Sequence, residues 1–197
     1  MTATFLGHLV GEAWHEARRG RVGGSELGSI IGHGYITREE LLAEKIGGSS
    51  RESTAAMRRG HYAEAYLREW LAGEKGIELD PDRYGTYHGD DWAVINPDGI
   101  GLEGQLIEFK CHATRDDFGR AGTDQIPVKH LAQVTWACGW IGLDRWVLAV
   151  HATKVTDRGP TFDDAAYKGR FNPDFFRFLK VQARTFWDDM TQRGLAV

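Results

Sequence analysis

The side chains best suited to chemistry lie in NPDGIGLEGQLIEFKC, residues 96–111. In an extended strand alternate side chains share a face, so Leu106, Glu108 and Lys110 point one way while Ile107, Phe109 and Cys111 point into the other layer. Glu108 and Lys110 are thereby side by side. Asp98 stands ten positions before Glu108, just ahead of a Gly-rich turn, where a hairpin between two strands folds it back beside them. Two carboxylates converging at a strand end make a hard-oxygen site suited to Mg2+ or Mn2+. A neighbouring Lys can orient and deprotonate a water, or neutralise charge on a phosphate. Together these are the equipment for metal-assisted phosphodiester hydrolysis. Each part alone is ordinary, since a Glu-x-Lys pair in a strand is usually solvated and Pro-Asp-Gly is a common turn.

The flanking elements must hold this stretch in place. A helix over residues 25–32 begins at Ser25, a good N-cap residue, and ends at Gly32. A second helix, 37–47, opens with Thr37 and Glu40 in capping-box spacing and stops at Gly47. The polar GGSSRES that follows reads as a mobile loop carrying Arg51. A longer helix is expected from about Thr54 to Ala72, with Tyr62, Tyr66 and Trp70, and Ala63, Leu67 and Leu71, recurring every four residues on adjoining parts of one face. From Ile77 to about Cys111, breaks at Pro81, Gly89, Pro97 and Gly101–Gly104 punctuate short apolar runs, which predicts a meander of strands. Pro127 starts a helix to about Gly142, residues 145–154 alternate as a strand, and Asn172-Pro173 caps a last amphipathic helix through Phe175, Phe176, Leu179, Ala183 and Phe186. The order implies an α/β fold, a central mixed sheet flanked by helices. With no repeat or linker, residues 1–197 are expected to form one domain, with the strand and helix at 145–192 closing it.

Composition limits what else the chain can be. Its 197 residues are 42% hydrophobic and 26% charged, with seven Trp, nine Phe and five Pro, which excludes a disordered or collagen-like chain. No stretch reaches the ~18 consecutive apolar residues of a membrane helix, and the opening MTATFLGHLVGEAWHEARRG lacks a signal-peptide layout. A cytoplasmic location and no membrane partner are the expectation. Two cysteines, Cys111 and Cys138, are too few for a disulfide framework, a four-cysteine zinc site or an iron-sulfur cluster, and read as buried thiols. His15, His61, His88, His112, His130 and His151 show no metal-ligand pairing with them. The net charge of -4 gives no general attraction to a polyanion, so any nucleic-acid site must be local.

The Pro-Asp and Glu-x-Lys pair resembles the signature of the PD-(D/E)XK nuclease superfamily. Other segments narrow this. AWHEARRGRVGGSELGSII closely resembles the opening motif of the lambda exonuclease family, the YqaJ-type viral recombinases, in which a Trp, an Arg and a Ser-acid step recur in the order seen in Trp14, Arg18, Ser25 and Glu26. MRRGHYAEAYL matches the family's helix through Gly60 and Glu64, NPDG and LIEFKC match its acidic strands, and DQIPVKHLAQVTW matches its helical glutamine through Gln133. These motifs run in order over roughly residues 13–150. Asn96 departs from the small hydroxyl residue frequent before the Pro-Asp step, though its amide can still donate. Gly23-Gly24 follows the YqaJ-like form.

The resemblance implies that Asp98 and Glu108 ligate two Mg2+ ions (Mn2+ substituting), with the Phe109 carbonyl as a further ligand. Lys110 would position or activate the attacking water, while Glu64 and Gln133 complete the site from two helices. Arg18 and Ser25 match the family's 5′-phosphate pocket, with Arg21 a second candidate. The local chemistry agrees: Gly23-Gly24-Ser25 at a helix start offers bare N–H groups and a hydroxyl, and Arg18 can grip phosphate oxygens. The implied activity is 5′-to-3′ exonuclease action on linear double-stranded DNA ends, leaving 3′ overhangs. The implied assembly is a ring-shaped homo-trimer with a single-strand annealing protein as partner. The same metal site would also serve a nuclease of other polarity or an endonuclease, and a non-catalytic DNA-end-binding module could keep the fold. The intact Asp98, Glu108 and Lys110 argue against the last.

Overall fold

Cap residues set the starts of two helices and a glycine stop the end of a third. The computed structural model describes residues 3–47, 55–157 and 159–194; the loop expected around Arg51 lies outside them. Helix α1 spans Gly11–Arg18. Ser25 does not start a helix as expected: it lies inside a 3-10 turn, Gly24–Glu26, that leads into the single turn α2, Leu27–Ile30. The capping contact is made instead by the Glu26 carboxylate, which accepts from the Gly23 N–H at 2.8 Å. Helix α3, Arg38–Gly47, has the expected box, with the Thr37 N–H donating to Glu40 at 2.8 Å and the Glu40 N–H to Thr37 Oγ1 at 3.2 Å. Helix α4 spans Ala55–Lys75 and α5 Val128–Ile141, where Gly142 takes the left-handed conformation at φ 82° and ends it. In α6, Pro173–Gln192, Asn172 Oδ1 accepts from the N–H groups of Asp174 and Phe175, both at 3.0 Å.

The strands are β1 (Thr4–Gly7), β2 (Val22–Gly23), β3 (Thr86–Gly89), β4 (Ala93–Ile95), β5 (Gly99–Ile100), β6 (Leu106–His112), β7 (Arg145–Thr156) and β8 (Gly159–Arg170). The fold is mixed α/β as expected, drawn as two four-stranded mixed sheets in the orders β1-β3-β4-β2 and β5-β6-β7-β8. The residues expected to form one meander therefore divide, one antiparallel hairpin (β3/β4) going to the first sheet and the next (β5/β6) to the second. Pro97 sits at the division, and a residue without an N–H cannot continue a ladder in mid-sheet. Strand β6 runs parallel to β7, which pairs antiparallel with β8 over its whole length.

The second sheet is covered on both faces, so its central strands alternate between two cores. Leu106, Leu148 and Val150 join a large core with Trp136, Trp140, Leu179 and Phe186 from α5 and α6. Ile107, Phe109, Val147 and Ala149 join a smaller one with Leu67 and Leu71 of α4. Helices α5 and α6 pack closely at Gly139, where a Cβ would stand 2.4 Å from the Phe176 ring. On α4 the buried edge is Ala63, Leu67 and Leu71, whereas Tyr62 and Tyr66, expected on the same side, stand exposed. Cys138 is buried and Cys111 half-buried, both as free thiols. Among the described residues no helix is long and apolar enough to cross a membrane.

Candidate active site

Strand β5 pairs with β6 at Ile107 and Leu106, and beyond that point no strand among the described residues pairs with that edge of β6. Asp98, immediately before β5, fills the place: its Oδ2 accepts from the Phe109 N–H at 2.7 Å. The N–H and C=O of one strand residue point to the same side, so the Phe109 carbonyl faces Asp98 too. Glu108 and Lys110 project from the opposite face of β6 toward α5. Glu108 is 2% exposed, and its Oε1 accepts from Lys110 Nζ at 2.5 Å and from Gln133 Nε2 of α5. The structure thus brings together Asp98, Glu108, Phe109, Lys110 and Gln133. Glu64, half-buried on α4, is near enough for its charge to act on Lys110.

Charge in this cluster is unbalanced. Burial, reinforced by the Asp98 charge, pushes the Glu108 carboxyl up to about 8 against the pull of Lys110. Burial also works against the Lys110 ammonium, but the charges of Glu108 and Asp98 outweigh it and hold its pKa above the ordinary lysine value. Behind Lys110, His112 Nε2 and His130 Nε2 lie 3.1 Å apart. Burial and the neighbouring Lys110 lower His130 to about 2, and burial lowers His112 from the ordinary imidazole value. Two crowded carboxylates, a backbone carbonyl and an amide suit a hard divalent cation, which would relieve the repulsion that raises Glu108. Among the described residues no group of three or more His, Cys, Asp or Glu side chains is gathered for a metal.

A pocket adjoins Glu108 and Gln133, and Arg18, Ser25, Asn96 and Trp136 also line it. Arg18 is held over the Trp14 ring at 4.7 Å and 3.7 Å from Glu26 Oε1. Gly23 makes room for it, since a Cβ there would meet the guanidinium at 3.2 Å. Glu26 Oε1 also pairs with Lys45 Nζ of α3 at 2.7 Å. Two buried donors, Asn96 Nδ2 and Trp136 Nε1, have no hydrogen-bond partner among the described residues; the Asn96 carbonyl is taken by the Thr86 hydroxyl at 2.6 Å. Arg18, Ser25 and these two donors suit an anion. Arg21 turns away to the Ala17 carbonyl at 3.3 Å and does not line the pocket.

Three contributors escaped the sequence reading. Lys45 anchors Glu26 from an element whose sequence shows only an ordinary amphipathic helix. Trp136 reads as core. Arg68 donates to the Asp98 carbonyl at 3.2 Å from between the Tyr84 and Phe109 rings, 5.5 and 5.6 Å away; its spacing one turn after Glu64 was the signal available.

A mixed sheet with an acidic cluster at the edge of its second strand, clasped by helices on both faces, is the fold of the PD-(D/E)XK exonucleases. The chain belongs to the YqaJ-like viral recombinase domain family, whose model matches residues 13–141. Among solved structures it is similar to an alkaline exonuclease (LHK-Exo) from Laribacter hongkongensis, at 19% identity and TM-score 0.71, covering 93% of this chain and 94% of that one. The same enzyme in complex with dAMP gives 20% identity and TM-score 0.74 over the same shares. A phage related exonuclease from Haemophilus somnus is similar at 11% identity and TM-score 0.57, covering 88% of this chain and 96% of that one. No curated protein matches the sequence.

Proposed function

We propose that the chain is a metal-dependent deoxyribonuclease that degrades one strand of linear double-stranded DNA from a 5′-phosphorylated end, 5′ to 3′, leaving a 3′ overhang. The observation that carries this reading is the meeting of an acidic cluster and an anion pocket, with Glu108 and Gln133 lining the same cavity as Arg18 and Ser25. The exonuclease names of the structural neighbours support it, as does the dAMP complex, dAMP being the kind of product such an enzyme releases. Asp98, Glu108 and the Phe109 carbonyl are the groups that would hold Mg2+, with Glu64 at the flank and two ions per site. Bound there, Mg2+ or Mn2+ would supply positive charge to the reacting phosphate and lower the pKa of a water.

The chain's own residues do the rest. Lys110, kept charged by Glu108 and Asp98, donates to the attacking water and offsets charge on the phosphate rather than removing a proton. Gln133 fixes the Glu108 carboxylate. Arg18 and Ser25 hold the terminal phosphate, with Asn96 and Trp136 as further donors. As water adds to phosphorus and gives up a proton to solvent, the bond to the 3′ oxygen of the end nucleotide breaks, that oxygen takes up a proton from solvent, and the next nucleotide carries the new 5′ phosphate into the same pocket. A cytoplasmic homo-trimer around the DNA, working with a single-strand annealing protein, completes the proposal.

The test is digestion of linear duplex labelled at either end, with and without a 5′ phosphate, in Mg2+ and in EDTA, beside a closed circle. Metal-dependent loss of the 5′-phosphorylated strand with the circle spared is expected. Cutting of the circle would replace this reading with an endonuclease, and no cutting in Mg2+ or Mn2+ with a DNA-end-binding module.

A further inference from the structure

The α4 face of β6 opens into a second cleft, of about 380 Å³, at the C-terminal end of β6 and beside His151 and Thr153 of β7. Arg59, Tyr62 and Tyr66 of α4 line it with Cys111, His151 and Phe162, and its surface is almost wholly apolar. Tyr62 is 83% exposed and Phe162 66%. Two large open rings facing one cleft form the kind of apolar patch that marks a binding surface.

The polar groups beneath these rings are engaged with one another. Asp164 accepts from the Tyr66 hydroxyl at 2.5 Å and pairs with His151 Nδ1 at 2.6 Å, while Thr153 Oγ1 lies 3.0 Å from His151 Nε2. This network fixes the His151 ring against the Phe162 ring, 5.5 Å between centroids and 30° from parallel. What the cleft offers a ligand is therefore flat aromatic surface with a guanidinium beside it, and little that would read hydrogen-bonding edges. The cleft meets the acidic cluster on the α4 side, where Ala63 of its lining precedes Glu64, whose charge acts on Lys110; Cys111 follows Lys110 in β6 but faces the opposite layer.

We propose that this cleft stacks bases of the single strand of DNA that passes the acidic site, an inference that rests on the nuclease reading above. Base stacking on aromatic rings with Arg nearby holds single strands without regard to sequence, as an enzyme that degrades any sequence requires. It also supplies affinity that a chain of net charge -4 does not gain from its overall field.

The test is titration of wild type, Tyr62→Ala, Phe162→Ala and Tyr62→Phe with a fluorescein-labelled, 5′-phosphorylated single-stranded oligonucleotide in EDTA, where nothing is cut. Each Ala variant should bind about tenfold more weakly, with an unchanged salt slope because no phosphate contact is lost, and Tyr62→Phe should bind as wild type does. A scan of single abasic positions should find one that weakens wild type but not Tyr62→Ala. Both rings are exposed, so the Ala variants should keep the wild-type melting temperature. Equal affinities in all four proteins, in a preparation that digests linear duplex, overturn the cleft assignment alone. A wild type that neither digests duplex nor binds the oligonucleotide overturns the nuclease reading with it.

Discussion

Two glutamates organise the site, and they are placed in opposite electrostatic settings. Glu26 gathers donors: Lys45 at 2.7 Å, Arg18 at 3.7 Å and the Gly23 N–H at 2.8 Å. It is an anion satisfied within the protein, and it serves to fix the loop and the guanidinium that line the anion pocket. Glu108 shares one ammonium with Asp98 and lies in an apolar layer, so its carboxyl is pushed up to about 8. Identical side chains thus yield a structural brace where cations are in excess and a charge-crowded cluster where carboxylates are. The cluster carries a deficit of positive charge, which under the proposed function a bound Mg2+ would fill.

The sharpest way to break this contrast is to remove the reactive partners. Lys110→Ala or Glu108→Gln should lower DNA cleavage on the order of 10³-fold, with circular dichroism unchanged; full cleavage by either purified protein would end the mechanism. Arg18→Ala should leave cleavage of 5′-hydroxyl ends intact and lose about tenfold or more of the preference for phosphorylated ends, the worth of a hydrogen bond to a charged group. The ratio of kcat/KM on the two ends reports it. Glu26→Gln leaves Lys45 and Arg18 without their acid and should cost about 2 kcal/mol in denaturant unfolding, with the chemistry at Glu108 retained.

The finest test is the pH dependence of stability without metal. A carboxyl raised from 4.5 to about 8 binds its proton more tightly in the folded chain, so its contribution is lost as pH climbs through that window. In EDTA the wild-type melting temperature should fall more steeply between pH 5 and 8.5 than that of Glu108→Gln. At pH 8, Mg2+ should raise the wild type more than the variant. Parallel curves in both comparisons would show that Glu108 carries no such strain.

Much of this arrangement was readable from local chemistry. Strand β6 alternates, so the sides taken by Glu108 and Phe109 followed from periodicity. The helix starts at Thr37 and Asn172 and the stop at Gly142 followed from caps. What escaped depends on distant partners. Strand β8 was unseen because GPTFDDAAYKGR buries little beyond Ala165 and Tyr167 and gains its extended form from pairing with β7. The two-residue strand β2 is too short to leave a period, and the helix expected over 25–32 is cut to the single turn α2 because residues 24–26 wind as a 3-10 turn. Lys45 reaches the site by tertiary geometry that no spacing encodes, Arg68 offered only its place one turn after Glu64, and Tyr62 and Tyr66 carry the repeat of a buried face while standing clear of it.

The register of β6 against β7 runs unbroken from Leu106 opposite Trp146 to His112 opposite Ala152. Because neighbouring strand residues face opposite layers, a slip by one residue would turn Glu108 into the α4 core and set Phe109 in its place. A single inserted or deleted residue between Gly104 and Glu108 should therefore extinguish activity while every side chain of the cluster is still encoded.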